Sequence, residues 1–178
     1  MDQQPKDTKH YKSRKLLRLK GFDYGSDGGY FITINIKHRK QFFGKIKNGI
    51  MGLSEIGCLA WKCWYEIPKY YPFVILDEFV VMPDHVHGVL FIKKQNLVAP
   101  QQETINIRNK FGPQSKNLAA IIRGFKIGVT KNAREIKSVF EWQTRFHDHI
   151  IRSKDELNRI KQYIKNNPEN WGKNKHEL

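Results

Sequence analysis

Cysteine is nearly missing from this 178-residue chain, which holds only Cys58 and Cys63. Five positions apart in a helical-looking stretch, they make neither half of a zinc CxxC pair nor a disulfide framework. A chain of this length buries enough core to do without such staples. Long apolar runs are missing too. No stretch nears the roughly 18 residues that cross a bilayer, and the first residues are polar where a signal peptide would be apolar. A cytoplasmic protein with no membrane partner is expected. Acidic side chains are scarce, 17 Asp and Glu against 32 Lys and Arg, for a formal charge of +15. That imbalance argues against an ordinary small-molecule enzyme and for a polyanionic partner. Hydrophobic residues nevertheless make up 39% and aromatics 12%, too many for a disordered basic tail. The composition describes one folded, basic domain that faces nucleic acid.

Residues 1–29 are polar and basic and read as an arm ahead of a domain over 30–171, with a surface insertion at 94–114 and a tail at 172–178. Tyr30–Ile36 is β-branched and aromatic, the pattern of a buried central strand. Asn48 and Gly49 accept positive φ and mark a hairpin turn. Ser54 is positioned to cap a helix over Glu55–Ile67 that Pro68 stops. Phe73–Met82 and His85–Lys93 are strands joined through Pro83 and Asp84. Ser115 is placed to cap a basic helix reaching Ile136, and Phe140–Ile151 reads as a last strand broken near Gln143 and Thr144. Ser153, with Glu156 three residues on, is a capping box for a final helix that Pro168 ends. The order contains the βαββαβ alternation of a ferredoxin-like (RRM-like) α+β fold, an antiparallel sheet with helices on one face.

The segment most informative about chemistry is Val80-Val-Met-Pro-Asp-His-Val-His-Gly-Val-Leu-Phe-Ile92. Positions i and i+2 of a strand share a face, so His85 and His87 point the same way, and two parallel imidazoles can chelate a divalent metal. The pattern alone is common, and it reads equally as polar residues satisfied at a hairpin. On the final helix, Tyr163 and Asn167 are four residues apart and about 40° around the axis. Bordering the stripe Leu157, Ile160 and Ile164, they set a phenol and an amide at the margin of the core. Each alone is an ordinary core-edge tyrosine or a common helix-end asparagine.

Taken together, the segments Leu19-Lys-Gly-Phe-Asp-Tyr24, Leu76 to His87, Ile121-Ile-Arg-Gly-Phe-Lys126, Phe146-His-Asp-His-Ile-Ile-Arg152 and Tyr163-Ile-Lys-Asn-Asn-Pro-Glu-Asn-Trp171 carry a resemblance over most of the chain. It resembles the HUH (His-hydrophobic-His) single-strand DNA transposases with one catalytic tyrosine, and especially the REP-associated tyrosine transposases. The resemblance implies His85 and His87 as metal ligands, Asn167 as the third ligand, Tyr163 as nucleophile, and Mg²⁺ or Mn²⁺ as cofactor, so that the final helix becomes a catalytic one. It implies single-stranded DNA with palindromic hairpins as partner, a monomer or homodimer, and a bacterial cytoplasm with nucleoid association when bound. Asn35-Ile36 departs from relatives, which often carry Cys-Thr there. The expected activity is a metal-dependent single-stranded DNA endonuclease and strand transferase working through a 5′-phosphotyrosine. A free tyrosine is only about 0.1% phenolate at pH 7, so it needs such metal assistance.

Candidate phosphate contacts are Arg14, Lys15 and Arg18 in the arm, Lys37 and Arg39 after the first strand, Arg123, Lys126, Lys131 and Arg134 on the basic helix, and Arg152. Part of the helix set reads equally as a solvated face. His147 and His149 form a second same-face pair to which the resemblance gives no ligand role, and Trp61, Trp64 and Trp171 read as core. The alternative function is a non-catalytic hairpin DNA- or RNA-binding module, a domesticated relative that would use exposed aromatics such as Phe31 or Phe91. Tyr163 discriminates the two, because a binder has no need of it.

Overall fold

The computed structural model describes residues 22–94 and 116–173. Arg14, Lys15, Arg18, Ser115 and nearly all of the expected insertion lie outside them. The first strand, β1 (Gly28–Asn35), is followed by a hairpin of β2 (Gly44–Lys47) and β3 (Ile50–Leu53), then helices α1 (Glu55–Tyr65) and α2 (Ile67–Tyr70). Strands β4 (Val74–Val81) and β5 (His85–Ile92), helix α3 (Leu118–Ile136), strand β6 (His147–Ile151) and helix α4 (Lys154–Asn166) complete the chain. The main sheet is antiparallel in the order β4-β5-β1-β6. Its two central strands are the first and third of the βαββαβ series, the arrangement expected of a ferredoxin-like α+β fold.

Alternation along β1 explains its central place. Tyr30, Ile32, Ile34 and Ile36 are buried in one core with Trp64 of α1 and Ile121, Phe125 and Val129 of α3. The intervening Phe31, Thr33 and Asn35 point to the opposite face. In β5, Val86 and Leu90 join the core while His85, His87 and Val89 face away from it. Gly88 lets Trp64 lie flat against the sheet: an added Cβ would come within 2.4 Å of the indole. The indole also stacks on Phe79 at 4.5 Å between ring centres.

Several boundaries differ from expectation. Helix α1 ends at Tyr65, and Pro68 sits in the first turn of α2, a place that needs no N–H from it. Asn117 caps α3, its side chain accepting from the Ala120 amide at 2.9 Å. The arm is shorter than 29 residues, because Phe22 and Tyr24 pack around Tyr30 and the Leu118 amide donates to the Tyr24 carbonyl. Asn48 and Gly49, at φ 51° and 75°, form the expected hairpin turn. The last strand is broken as expected: Trp142 bridges Ile36 in isolation before regular pairing starts at His147.

The largest difference concerns α4. Helices α1 and α3 share the core face, as the sequence order implies, whereas Tyr163 of α4 meets Phe31 and His87 on the other face. The sheet is therefore sandwiched near its centre. A bulge in β4 between Leu76 and Phe79 turns two acids toward this helix. Asp77 pairs with Lys161 at 2.7 Å and Glu78 with Lys165 at 3.1 Å. Among the described residues no helix is long and apolar enough to cross a membrane.

Candidate active site

The start of β5 brings His85 and His87 side by side beneath α4. Their Nε2 atoms face each other at 2.9 Å, and both residues are 5% exposed. Each ring is held from behind. Asp84 Oδ1 accepts from His85 Nδ1 at 2.5 Å, while its Oδ2 receives Arg39 Nε at 3.0 Å. The Thr33 hydroxyl meets His87 Nδ1 at 2.8 Å from the adjacent strand. Phe31, two residues back along β1, stacks on the His87 ring at 5.4 Å. Strand pleating alone puts Thr33 and Phe31 on this face, so β1 supplies the floor and one wall of the site.

Burial, with neighbouring His85 and the charges of Arg39 and His147, holds the His87 pKa well below its ordinary value. His87 is neutral at pH 7. One proton arrangement then satisfies every bond: Thr33 donates to His87 Nδ1, His87 Nε2 donates to His85 Nε2, and His85 Nδ1 donates to Asp84. Because a hydroxyl also accepts, Thr33 permits the other His87 tautomer equally, with Nδ1–H donating to it. Both Nε2 lone pairs would then converge on one point, an arrangement that a divalent cation between them would satisfy. The 2.9 Å separation matches the edge of an octahedron with bonds of about 2.0–2.1 Å. The carboxylate behind His85 is the customary partner of a metal-ligating imidazole. Two imidazole donors at this spacing could hold one octahedral divalent cation.

Helix α4 completes the arrangement. The Tyr163 hydroxyl lies 3.5 Å from His87 Nε2, and the residue is 52% exposed, open to a substrate. Eight residues on, Trp171 packs against the His85 ring at 5.9 Å. Asn167 lies one turn from each, between the tyrosine on His87 and the indole on His85. Among the described residues its side-chain amide makes no hydrogen bond, and the structure does not bring it into contact with either imidazole. No cluster of three His, Cys, Asp or Glu able to hold a metal occurs among the described residues. Among the described residues a third donor would be of another type, such as the Asn167 amide.

Other expected residues are distributed differently. Arg39 serves the site from behind through Asp84 and also reaches Asn35 Oδ1 at 2.5 Å. Lys37, Arg123, Lys126, Lys131 and Arg134 line a cleft on the opposite side of the sheet. Arg152 is exposed just before α4, its amide donating to Glu156. His147 and His149 share the sheet face of His87; His149 bonds Glu156 at 2.7 Å. Trp64 is core, but Trp61 is half exposed and Trp171 belongs to the site. Asp84 and Thr33 join the site unexpectedly, and Phe31, expected only as an aromatic of the binding-module alternative, walls it. Adjacency of Asp84 to the histidine pair was the one available signal; Thr33 and Phe31 join only through strand pairing.

No family model matches the chain. A protein of Haemophilus influenzae, described as uncharacterized, is 40% identical over 162 residues, 89% of either chain. The chain belongs to the family of that protein. Among solved structures, a REP-associated tyrosine transposase bound to a REP hairpin superposes with a TM-score of 0.56 at 20% identity, covering 90% of this chain and 74% of that one. The fold is that of a REP-associated tyrosine transposase. Within this transposase fold, the sheet face bearing His85 and His87 is the one that α4 covers.

Proposed function

We propose that the protein is a metal-dependent single-stranded DNA endonuclease and strand transferase that acts beside hairpins through a covalent 5′-phosphotyrosine. The observation that carries this reading is the Tyr163 hydroxyl 3.5 Å from an imidazole that is itself paired with a second one. A structural tyrosine has no use for a buried, carboxylate-backed histidine pair at its hydroxyl. The transposase fold and the formal charge of +15 support the same substrate class.

In this reading His85, His87 and the Asn167 amide would hold Mg²⁺ or Mn²⁺, which would polarise the scissile phosphate and offset its developing charge. Asp84, fixed by Arg39, holds the His85 ring with its Nε2 turned to His87, and Thr33 holds the His87 ring with its Nε2 turned to His85. Tyr163 attacks in line, bonding its oxygen to phosphorus and displacing the 3′ oxygen of the neighbouring nucleotide. The phenol proton leaves through neighbouring solvent. The phosphodiester energy is kept in the phosphotyrosine, so a 3′-hydroxyl can later reverse the step without a nucleotide cofactor. Unstacked strands suit such a site because their phosphates can be drawn to the tyrosine.

The test is a denaturing gel of protein incubated with Mn²⁺ and 3′-labelled hairpin oligonucleotides. Label is expected to migrate with protein, and to be lost with chelator and with Tyr163→Phe while hairpin affinity changes less than about twofold. Cleavage by Tyr163→Phe would assign the nucleophile elsewhere. Salt-sensitive binding with no adduct on any palindrome would make the protein a hairpin-binding module.

A further inference from the structure

On the α3 side of the sheet, a cleft of about 780 Å³ runs between α3 and the segment 141–146. Arg123, Ile127 and Lys131 follow one another at four-residue steps along its helical wall, so they form a single ridge. Trp142 and Phe146 line the facing side, and Lys37 closes one end. Three of the cleft's cations are occupied within the fold. Lys37 pairs with Glu141, Lys126 donates to the carbonyls of Gln143 and Thr144, and Arg134 Nε donates to Phe140. These bonds fix the wall. Arg123 and Lys131 make no ion pair or hydrogen bond among the described residues, and between them Ile127 is 61% exposed.

An exposed apolar side chain between two uncommitted cations, across a cleft from Trp142 and Phe146, is unlike an ordinary solvated basic face. It offers an apolar platform to flat rings and cations to the charges that link them, the chemistry of an unstacked strand. A duplex hides its base faces in the stack and would offer the exposed Ile127 no flat ring to pack against. One end of the cleft is joined through the chain to the imidazole pair. Lys37 lines it, and two residues on, Arg39 holds the carboxylate that bonds His85. The intervening turn is rigidly set, with His38 and Arg39 at φ 57° and 53° and the Lys37 amide bonded to the Glu141 carbonyl at 2.9 Å.

We propose that this cleft seats the single-stranded DNA flanking the phosphate offered to Tyr163, and that the Lys37–Arg39 turn carries the strand round the end of the sheet. The path to Tyr163 rests on the function proposed above; binding in the cleft does not.

The experiment uses full-length Tyr163→Phe protein in chelator, so that nothing is cut, and a DNA hairpin with a single-stranded extension. Adding Arg123→Glu and Lys131→Glu is expected to weaken binding at least tenfold and to reduce the log affinity–log salt slope by about 1.4, near 0.7 for each phosphate no longer neutralised. The charge-matched pair Lys62→Glu and Lys69→Glu on α1 and α2 should cost threefold at most. Independently of these variants, iododeoxyuridine in the extension should photocrosslink to the peptide containing Trp142 and Phe146. Equal loss in both charge-reversal pairs, equal loss for a blunt duplex, or crosslinks confined to α4 would each overturn the proposal. Adduct formation by the native protein is assayed separately. An adduct that survives the cleft substitutions sinks the cleft and leaves the nucleophile standing; cleft-dependent binding without any adduct does the reverse.

Discussion

At the scale of single residues, His87 shows how much chemistry one side chain concentrates. It is bonded to Thr33, faced by His85, stacked on Phe31 and touched by Tyr163. Of these partners only His85 and Tyr163 were legible in the sequence, one through period-two spacing and the other through helical spacing beside Asn167. Asp84 went unassigned because a lone acid before two histidines says nothing until Arg39 is folded back against it. Replacing it by asparagine keeps the shape and removes the charge. Asp84→Asn is expected to lower Mn²⁺ affinity roughly 10- to 100-fold by calorimetry; unchanged affinity would remove the carboxylate from the metal's support. Gly88 carries a separate prediction. Alanine there would drive a methyl into the Trp64 ring, so Gly88→Ala should cost about 1–3 kcal/mol in denaturant unfolding. A neutral result would mean that the indole slides freely over the sheet.

At the scale of elements, α4 meets the sheet through Ile164, which alone of its apolar stripe is fully buried, through Tyr163 on Phe31 and His87, and through ion pairs. Ion pairs to Asp77 and Glu78 fix its later turns, and Glu156 fixes its start. That carboxylate differs from a standard capping box. It reaches past the Ser153 cap to the Arg152 amide with one oxygen and to His149 with the other. The Arg152 N–H, then His149, lower the Glu156 pKa from its ordinary 4.5. A depressed folded-state pKa contributes stability above the unfolded value that disappears as pH falls through the folded one. Glu156→Gln should therefore melt below the native protein at pH 7, with the gap closing as pH falls below about 4. A gap that persists in acid would assign the effect to packing instead of charge. The sequence marked where this helix starts and stops, because caps are local chemistry. Which sheet face it covers was not local, and there the one-face expectation failed.

At the scale of the whole molecule, the charge excess accompanies two unlike faces of one sheet. One holds the imidazoles and tyrosine, the other the basic cleft, and the Lys37–Arg39 turn joins them. Affinity for a hairpin with a single-stranded tail should fall roughly hundredfold between 50 and 200 mM salt, the change expected for about five phosphate contacts. A flat salt response would mean that the charge serves something other than a nucleic-acid backbone.

Sequence alone determined the fold class, the existence of a paired-histidine strand and the helix bearing Tyr163. Those features rest on periodicity, capping and turn chemistry, which act over a few residues. Only the tertiary structure decided that α4 crosses to the far face, that Asp84, Thr33 and Phe31 buttress the pair, and that α3 and segment 141–146 enclose a cleft. Each depends on strand order and register, which bring together residues from 54 to 104 positions apart. Contacts of that range leave no periodic trace in a single chain, because their partners are chosen by the assembled sheet.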